Sequence, residues 1–143
     1  MTMRWIHDDG GRAAAGFKGQ ADDCVTRAIA IATGKPYREV YDEINYAARA
    51  ERPGKNKRSS ASSGVHKRTI RRYMEYIGWV WVPCMEIGAG CTTHMRSDEL
   101  PQGALVVNLS KHSAAVIDGV LHDTHDCTRN GTRCVYGYFR AAY

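Results

Sequence analysis

KHSAAVIDGVLHDTHD, residues 111–126, is the stretch on which the fold turns. Asp118-Gly119 suits a two-residue type I′ turn, in which both central residues take positive φ. Counting outward pairs Ile117 with Val120, Val116 with Leu121, Ala115 with His122 and Ala114 with Asp123. One step further, Ser113 meets Thr124 and His112 meets His125. Directly opposed residues share a face, and faces alternate along a strand. His112, Ala114, Asp123 and His125 are therefore predicted on one side, with His122 and Ala115 on the other. Asp123 becomes the diagonal neighbour of His112 across a small alanine, at the roughly 7–8 Å diagonal spacing of paired strands. A carboxylate there can accept the imidazole N–H, fix its tautomer and stabilise its cation.

Working outward, ALVVNL (104–109), VYGYFR (135–140) and WVWVP (79–83) read as further strands of an antiparallel sheet. Trp79, Trp81, Tyr136, Tyr138 and Phe139 are read as packing residues. The segment MEIGAGCTTHMRSDELPQG between them reads as loop. Upstream, the period is helical. A helix is predicted from Cys24, with Asp23 as N-cap and Val25, Ala28, Ile29 and Ala32 facing the core. Gly34 and Pro36 end it. Pro36 opens a second helix whose apolar stripe is Tyr37, Val40, Tyr41, Ile44, Ala47 and Ala48. A third is predicted over 65–77, with Ile70, Tyr73, Met74 and Ile77 inward. Helices followed by strands give an α+β class, N-terminal helices packed on a C-terminal antiparallel sheet. The chain is read as a single domain, 1–143, with residues 1–19 a loosely ordered lead-in and 51–64 an exposed basic loop.

The chain has 143 residues and a net charge of +5. The excess is local: nine basic residues lie between Arg49 and Arg72, against Glu51 alone. Lys67, Arg68, Arg71 and Arg72 are the residues of this stripe placed to meet phosphates or a partner protein. The absence of a helix-turn-helix pattern points to non-specific nucleic-acid contact only. No apolar run reaches the roughly 18–20 residues of a membrane span, and MTMRWIHDDGGR lacks a signal core. A cytoplasmic protein is expected. Its five cysteines, an odd number, are then expected to be reduced, without a disulfide scaffold. None forms a C-x-x-C pair, so neither a zinc ribbon nor a redox dithiol is expected.

Cys24 is the cysteine with chemical promise. A thiolate at a helix N-terminus faces unpaired N–H groups and the positive end of the helix dipole. A histidine beside it lowers its pKa further, whereas Asp22 and Asp23 oppose this unless they turn away. Gln20 has an amide that can donate to an oxyanion, alongside the Cys24 N–H. His125 is an alternative base on the same face. The rival use of these residues is a zinc site of His112, Asp123 and His125 with Cys127 nearby, but no cofactor or metal is expected.

A glutamine, a cysteine opening the first core helix, a histidine starting a strand and an aspartate on the next strand is the order of the papain-like cysteine peptidases. The chain resembles that superfamily, and its small C39-like branch, in GQADDC, KHSAAVIDG and the His-Asp at 122–123. It is also similar, in DCVTRAIAIATGKPYREVY and HSAAVIDGVLHDTHD, to small proteins encoded by bacteriophages and prophages. The resemblance implies a papain-like fold and a cysteine protease-like hydrolase acting on a peptide or isopeptide bond. Cys24 would be the nucleophile, His112 the general base, Asp123 the orienting residue and Gln20 the oxyanion donor. The alternative is a non-catalytic binding protein on the same fold, engaging nucleic acid or a host bacterial protein through residues 49–72.

Overall fold

The structure, a computed structural model, describes residues 3–18, 22–51, 59–62, 64–85, 88 and 90–142. Its elements run β1 (Arg4–His7), α1 (Cys24–Thr33), α2 (Tyr37–Arg49), α3 (Lys67–Tyr76), β2 (Trp79–Pro83), β3 (Ala104–Leu109), β4 (His112–Ile117), β5 (Val120–Asp123) and β6 (Gly137–Ala141). The strands form one sheet in the order β1-β5-β4-β3-β6-β2. All neighbours are antiparallel except β1, which lies parallel to β5. The class is α+β with a mixed sheet.

The Asp118-Gly119 turn has the geometry its residues require: φ is 49° and 77°. The register across it is Ile117 with Val120, Val116 with Leu121 and Ala115 with His122. Alternation then sorts the sheet into two cores. Val106, Ala115 and Phe139 face the helices and pack with Ile29, Val40, Ile44, Tyr73 and Met74. Leu105, Val107, Ala114, Val116 and Leu121 face the other way, against Met3, Met95, Leu100 and Val135. Ile29, Val40, Ile44 and Met74 are at most 1% exposed, so truncating any one of them costs about 2–5 kcal/mol.

Both helix stops behave as their residues demand. Gly34 takes the left-handed C-cap conformation, φ 76°, and its N–H closes onto Ala30 O. Pro36 sits at the N-cap of α2 rather than inside it. Asp23 stands at the N-cap position of α1 without a side-chain cap bond. Its carboxylate turns instead to Tyr37, whose hydroxyl donates to Oδ2 at 2.6 Å, and to Arg27.

Three expectations are corrected. The lead-in is not loose over 3–18: β1 adds a parallel strand to β5, and Met3 is buried. All four β1 side chains are exposed, so no alternation marks the strand; backbone pairing with β5 and the Trp5 indole bond to Asp123 O hold it. In the 51–64 connection, residues 52–58 and 63 lie outside the described residues, but residues 59–62 are not exposed. Ala61 is fully buried, its N–H donating to Asn45 Oδ1 at 2.9 Å and its carbonyl accepting from Thr26 Oγ1 at 2.8 Å. Finally, Cys91 and Cys134 form a disulfide, 43 residues apart, where thiols were expected. An odd cysteine count leaves pairing open, and here the chain brings two sulfurs together from segments that sequence spacing does not relate. None of the described helices is long and apolar enough to cross a membrane.

Gly137 is where packing is least forgiving. A Cβ there would collide with the Trp81 ring and stand 2.8 Å from the Val82 carbonyl oxygen. Gly137→Ala is expected to destabilise by at least about 1–3 kcal/mol, read as a lower urea midpoint with an unchanged slope. An unchanged midpoint would show that β2 and β6 are not in this contact.

Candidate active site

His112 opens β4 and Asp123 ends β5, so both stand where the sheet stops. His112 Nε2 and Asp123 Oδ2 are 2.7 Å apart, and both side chains are nearly buried, 11% and 3% exposed. Asp123 is held from several sides. Its Oδ1 accepts the Thr124 N–H at 2.7 Å, and Arg27 Nη2 lies 3.5 Å away. Its backbone carbonyl accepts from the Trp5 indole and the Asp8 N–H, both at 3.0 Å. The strand missed in the sequence is therefore part of what fixes the carboxylate.

Cys24 is the first residue of α1 and half-buried against the helix-side core. It lines the same cleft as His112 and Ser113, and its thiol lies near enough to the His112 ring and the Ser113 N–H for both to act on its charge. Burial is the largest single influence and pushes the thiol pKa up. The hydrogen bond and charge of His112, the Ser113 N–H and the Arg27 guanidinium together outweigh it, so the thiol is lowered overall. The same balance runs in reverse at the imidazole. Burial opposes its charge, but hydrogen bonding to Asp123, the influence of Cys127 and Cys24 and the Asp123 charge push His112 up to about 11. Asp123 is lowered: burial is overcome by the His112 bond and charge and by the Thr124 N–H.

The sequence thus brings together Cys24, His112 and Asp123. It also raises the question of Asp22 and Asp23, which oppose a thiolate. Asp23 is buried but matched by Arg27, Arg12 and Tyr37, so its charge is spent within that cluster. Gln20 lies outside the described residues. His125 is exposed, its ring 5.1 Å from that of His112. Ligand atoms of His112, Asp123 and His125 fall within 4.8 Å of one another, as a metal site requires. A cation there would compete with the His112–Asp123 bond for the same lone pairs. Cys127, read as a possible ligand, is buried in the opposite core, close enough to act on the His112 charge. The imidazole at the strand end is thus influenced by one thiol from each side of the sheet.

Arg27 and Trp5 were not anticipated. Arg27 follows Asp23 by four residues, a helical ion-pair spacing that was legible; nothing local in Trp5 points to Asp123.

A cleft of about 1130 Å³ opens over Cys24 and His112. Phe17, Trp81 and Phe139 give it apolar walls, and Lys67, Arg71 and Lys111 line it with cations. The basic stripe divides here. Lys67 and Arg71 line the cleft, whereas Arg68 and Arg72 converge on the buried Glu51 carboxylate at 3.6 and 3.8 Å. Comparison with family models, with curated proteins and with solved structures finds no match for the chain.

These environments separate the three free thiols. Cys84 is raised by burial, which Thr93 only partly offsets, and Cys127 is only 3% exposed. Iodoacetamide at pH 6–7 is expected to label Cys24 about tenfold or more faster than Cys84, and Cys127 slowest. The Cys24 rate should persist below the ordinary thiol range near 8.5, fall only on further acidification, and drop in His112→Ala. Peptide mapping checks this; equal labelling of Cys24 and Cys84 would contradict it.

Proposed function

We propose that the protein is a thiol hydrolase of papain-like architecture that cleaves a peptide or isopeptide bond. One observation carries the reading: the Cys24 thiol and the His112 imidazole face one open cleft, with the buried Asp123 carboxylate 2.7 Å from the ring. With Nε2 engaged by Asp123, Nδ1 is the ring nitrogen left to exchange a proton with sulfur.

In this reading the Cys24 thiolate attacks the scissile carbonyl, forming a tetrahedral oxyanion. N–H groups of the first turn of α1, which lack intrahelical acceptors, stabilise that charge. Imidazolium His112 gives its proton to the leaving amine, leaving a thioester on Cys24. His112, now neutral, takes a proton from water, which attacks the thioester and releases the acid. The returned proton restores the ion pair. Asp123 keeps the ring oriented and stabilises its cation throughout. Lys67 and Arg71 favour a substrate with an acidic residue on the α3 side of the cleft.

Acyl transfer from p-nitrophenyl acetate tests the chemistry without knowledge of the substrate. Mass spectrometry should find one acetyl group on the peptide carrying Cys24, with its formation slowed about 10²–10⁴-fold by His112→Ala. Asp123→Asn should slow it as well, since a neutral amide no longer stabilises the imidazolium. Acetylation of Cys84 or Cys127 instead, or a rate indifferent to His112, would overturn the proposal.

A further inference from the structure

Away from the cleft, a second cluster gathers around the disulfide. Cys91 and His94 stand on the loop between β2 and β3, in C-x-x-H spacing, and Cys134 lies on the segment leading into β6. Backbone pairing holds the two segments together. Met95 N–H donates to Arg133 O at 2.9 Å, Val135 N–H donates to Thr93 O at 2.8 Å, and His94 faces Cys134 across an isolated bridge. The two sulfurs and one ring nitrogen of His94 fall within 4.8 Å of one another. None of these residues lines the cleft.

A disulfide explains the two sulfurs, not the imidazole beside them. His94 Nδ1 lies 3.1 Å from Glu99 Oε1, which also accepts the His94 backbone N–H at 3.1 Å. Arg96 Nε approaches the other Glu99 oxygen at 3.3 Å. A carboxylate on one ring nitrogen fixes the tautomer and aims the other nitrogen, the arrangement that accompanies metal-bound histidines. Two thiolates and an imidazole form a borderline-soft donor set suited to zinc, which accepts three protein ligands and a water.

We propose that, once the Cys91–Cys134 bond is reduced, Cys91, Cys134 and His94 Nε2 bind one zinc-class cation, with Glu99 orienting His94. Reduction consumes one dithiol: its two electrons break the S–S bond, its two protons pass to the sulfurs, and it leaves as a disulfide. The cation then displaces both protons, and water fills the fourth position. The same two cysteines therefore close the loop as a disulfide under oxidising conditions and as a metal clip under reducing ones. This site is independent of the Cys24 chemistry.

The test uses the full chain reduced with dithiothreitol, desalted anaerobically and titrated with Co(II). One equivalent should bind with thiolate-to-cobalt charge-transfer and tetrahedral d–d absorption, and Zn(II) should abolish both. The oxidised protein should give neither. Glu99→Gln, which removes no ligand, should keep the spectrum and weaken binding about 10–100-fold. His94→Ala should lose the tetrahedral bands. Absence of charge transfer in the reduced protein, its persistence in the Cys91→Ser/Cys134→Ser variant, or unchanged affinity in Glu99→Gln would overturn the proposal.

Discussion

The hydrogen bond between Asp123 and His112 is the constraint around which the rest is arranged. A carboxylate only 3% exposed is costly to bury unless it is paired and hydrogen-bonded. Here the pairing draws on most of the fold: α1 through Arg27, β4 through His112 and the turn after β5 through Thr124 N–H. β1 and the residue after it hold the carbonyl of Asp123, through the Trp5 indole and the Asp8 N–H. Charge then passes outward. The anion holds the imidazolium, and the imidazolium lowers the thiol at the start of α1.

That chain crosses the sheet. Alternation along β4 directs Ala114 and Val116 away from the helices, whereas Cys24 belongs to the helix side. A histidine in mid-strand would commit to one face. At the first position of β4 the ring sits at the end of the sheet, where thiols from both cores reach it. Position on the element, as much as residue type, makes the contact. The neighbouring cluster of Asp23, Arg12, Arg27 and Tyr37 keeps a second buried aspartate from opposing the thiolate.

Much of this was legible because it depends on local rules. Asp-Gly forces its turn, period-two counting then sets the register, and the register places His112 beside Asp123. Gly34 and Pro36 punctuate the helices for equally local steric reasons. What escaped has no local signature. β1 buries none of its four side chains and so shows no pattern, although its Trp5 indole and the Asp8 N–H just after it both reach the Asp123 carbonyl. Ala61 is buried by partners 16 and 35 residues away. The Cys91–Cys134 pairing depends on two loops meeting, and cysteine spacing does not encode that. Asp23 was placed at the right cap position, but long-range partners took its side chain.

The charge state of His112 decides whether thiol, imidazole and carboxylate act as one unit. Side-chain ¹⁵N chemical shifts of His112, followed by NMR across pH 5–10 in the chain with its Cys24 thiol free and in Cys24→Ser, report it without any substrate. The account requires His112 to remain an imidazolium through pH 8 and to titrate far above the ordinary value near 6.5, with its pKa falling when the Cys24 sulfur is replaced. A neutral ring at pH 8, titrating near 6.5 and indifferent to Cys24, would contradict it.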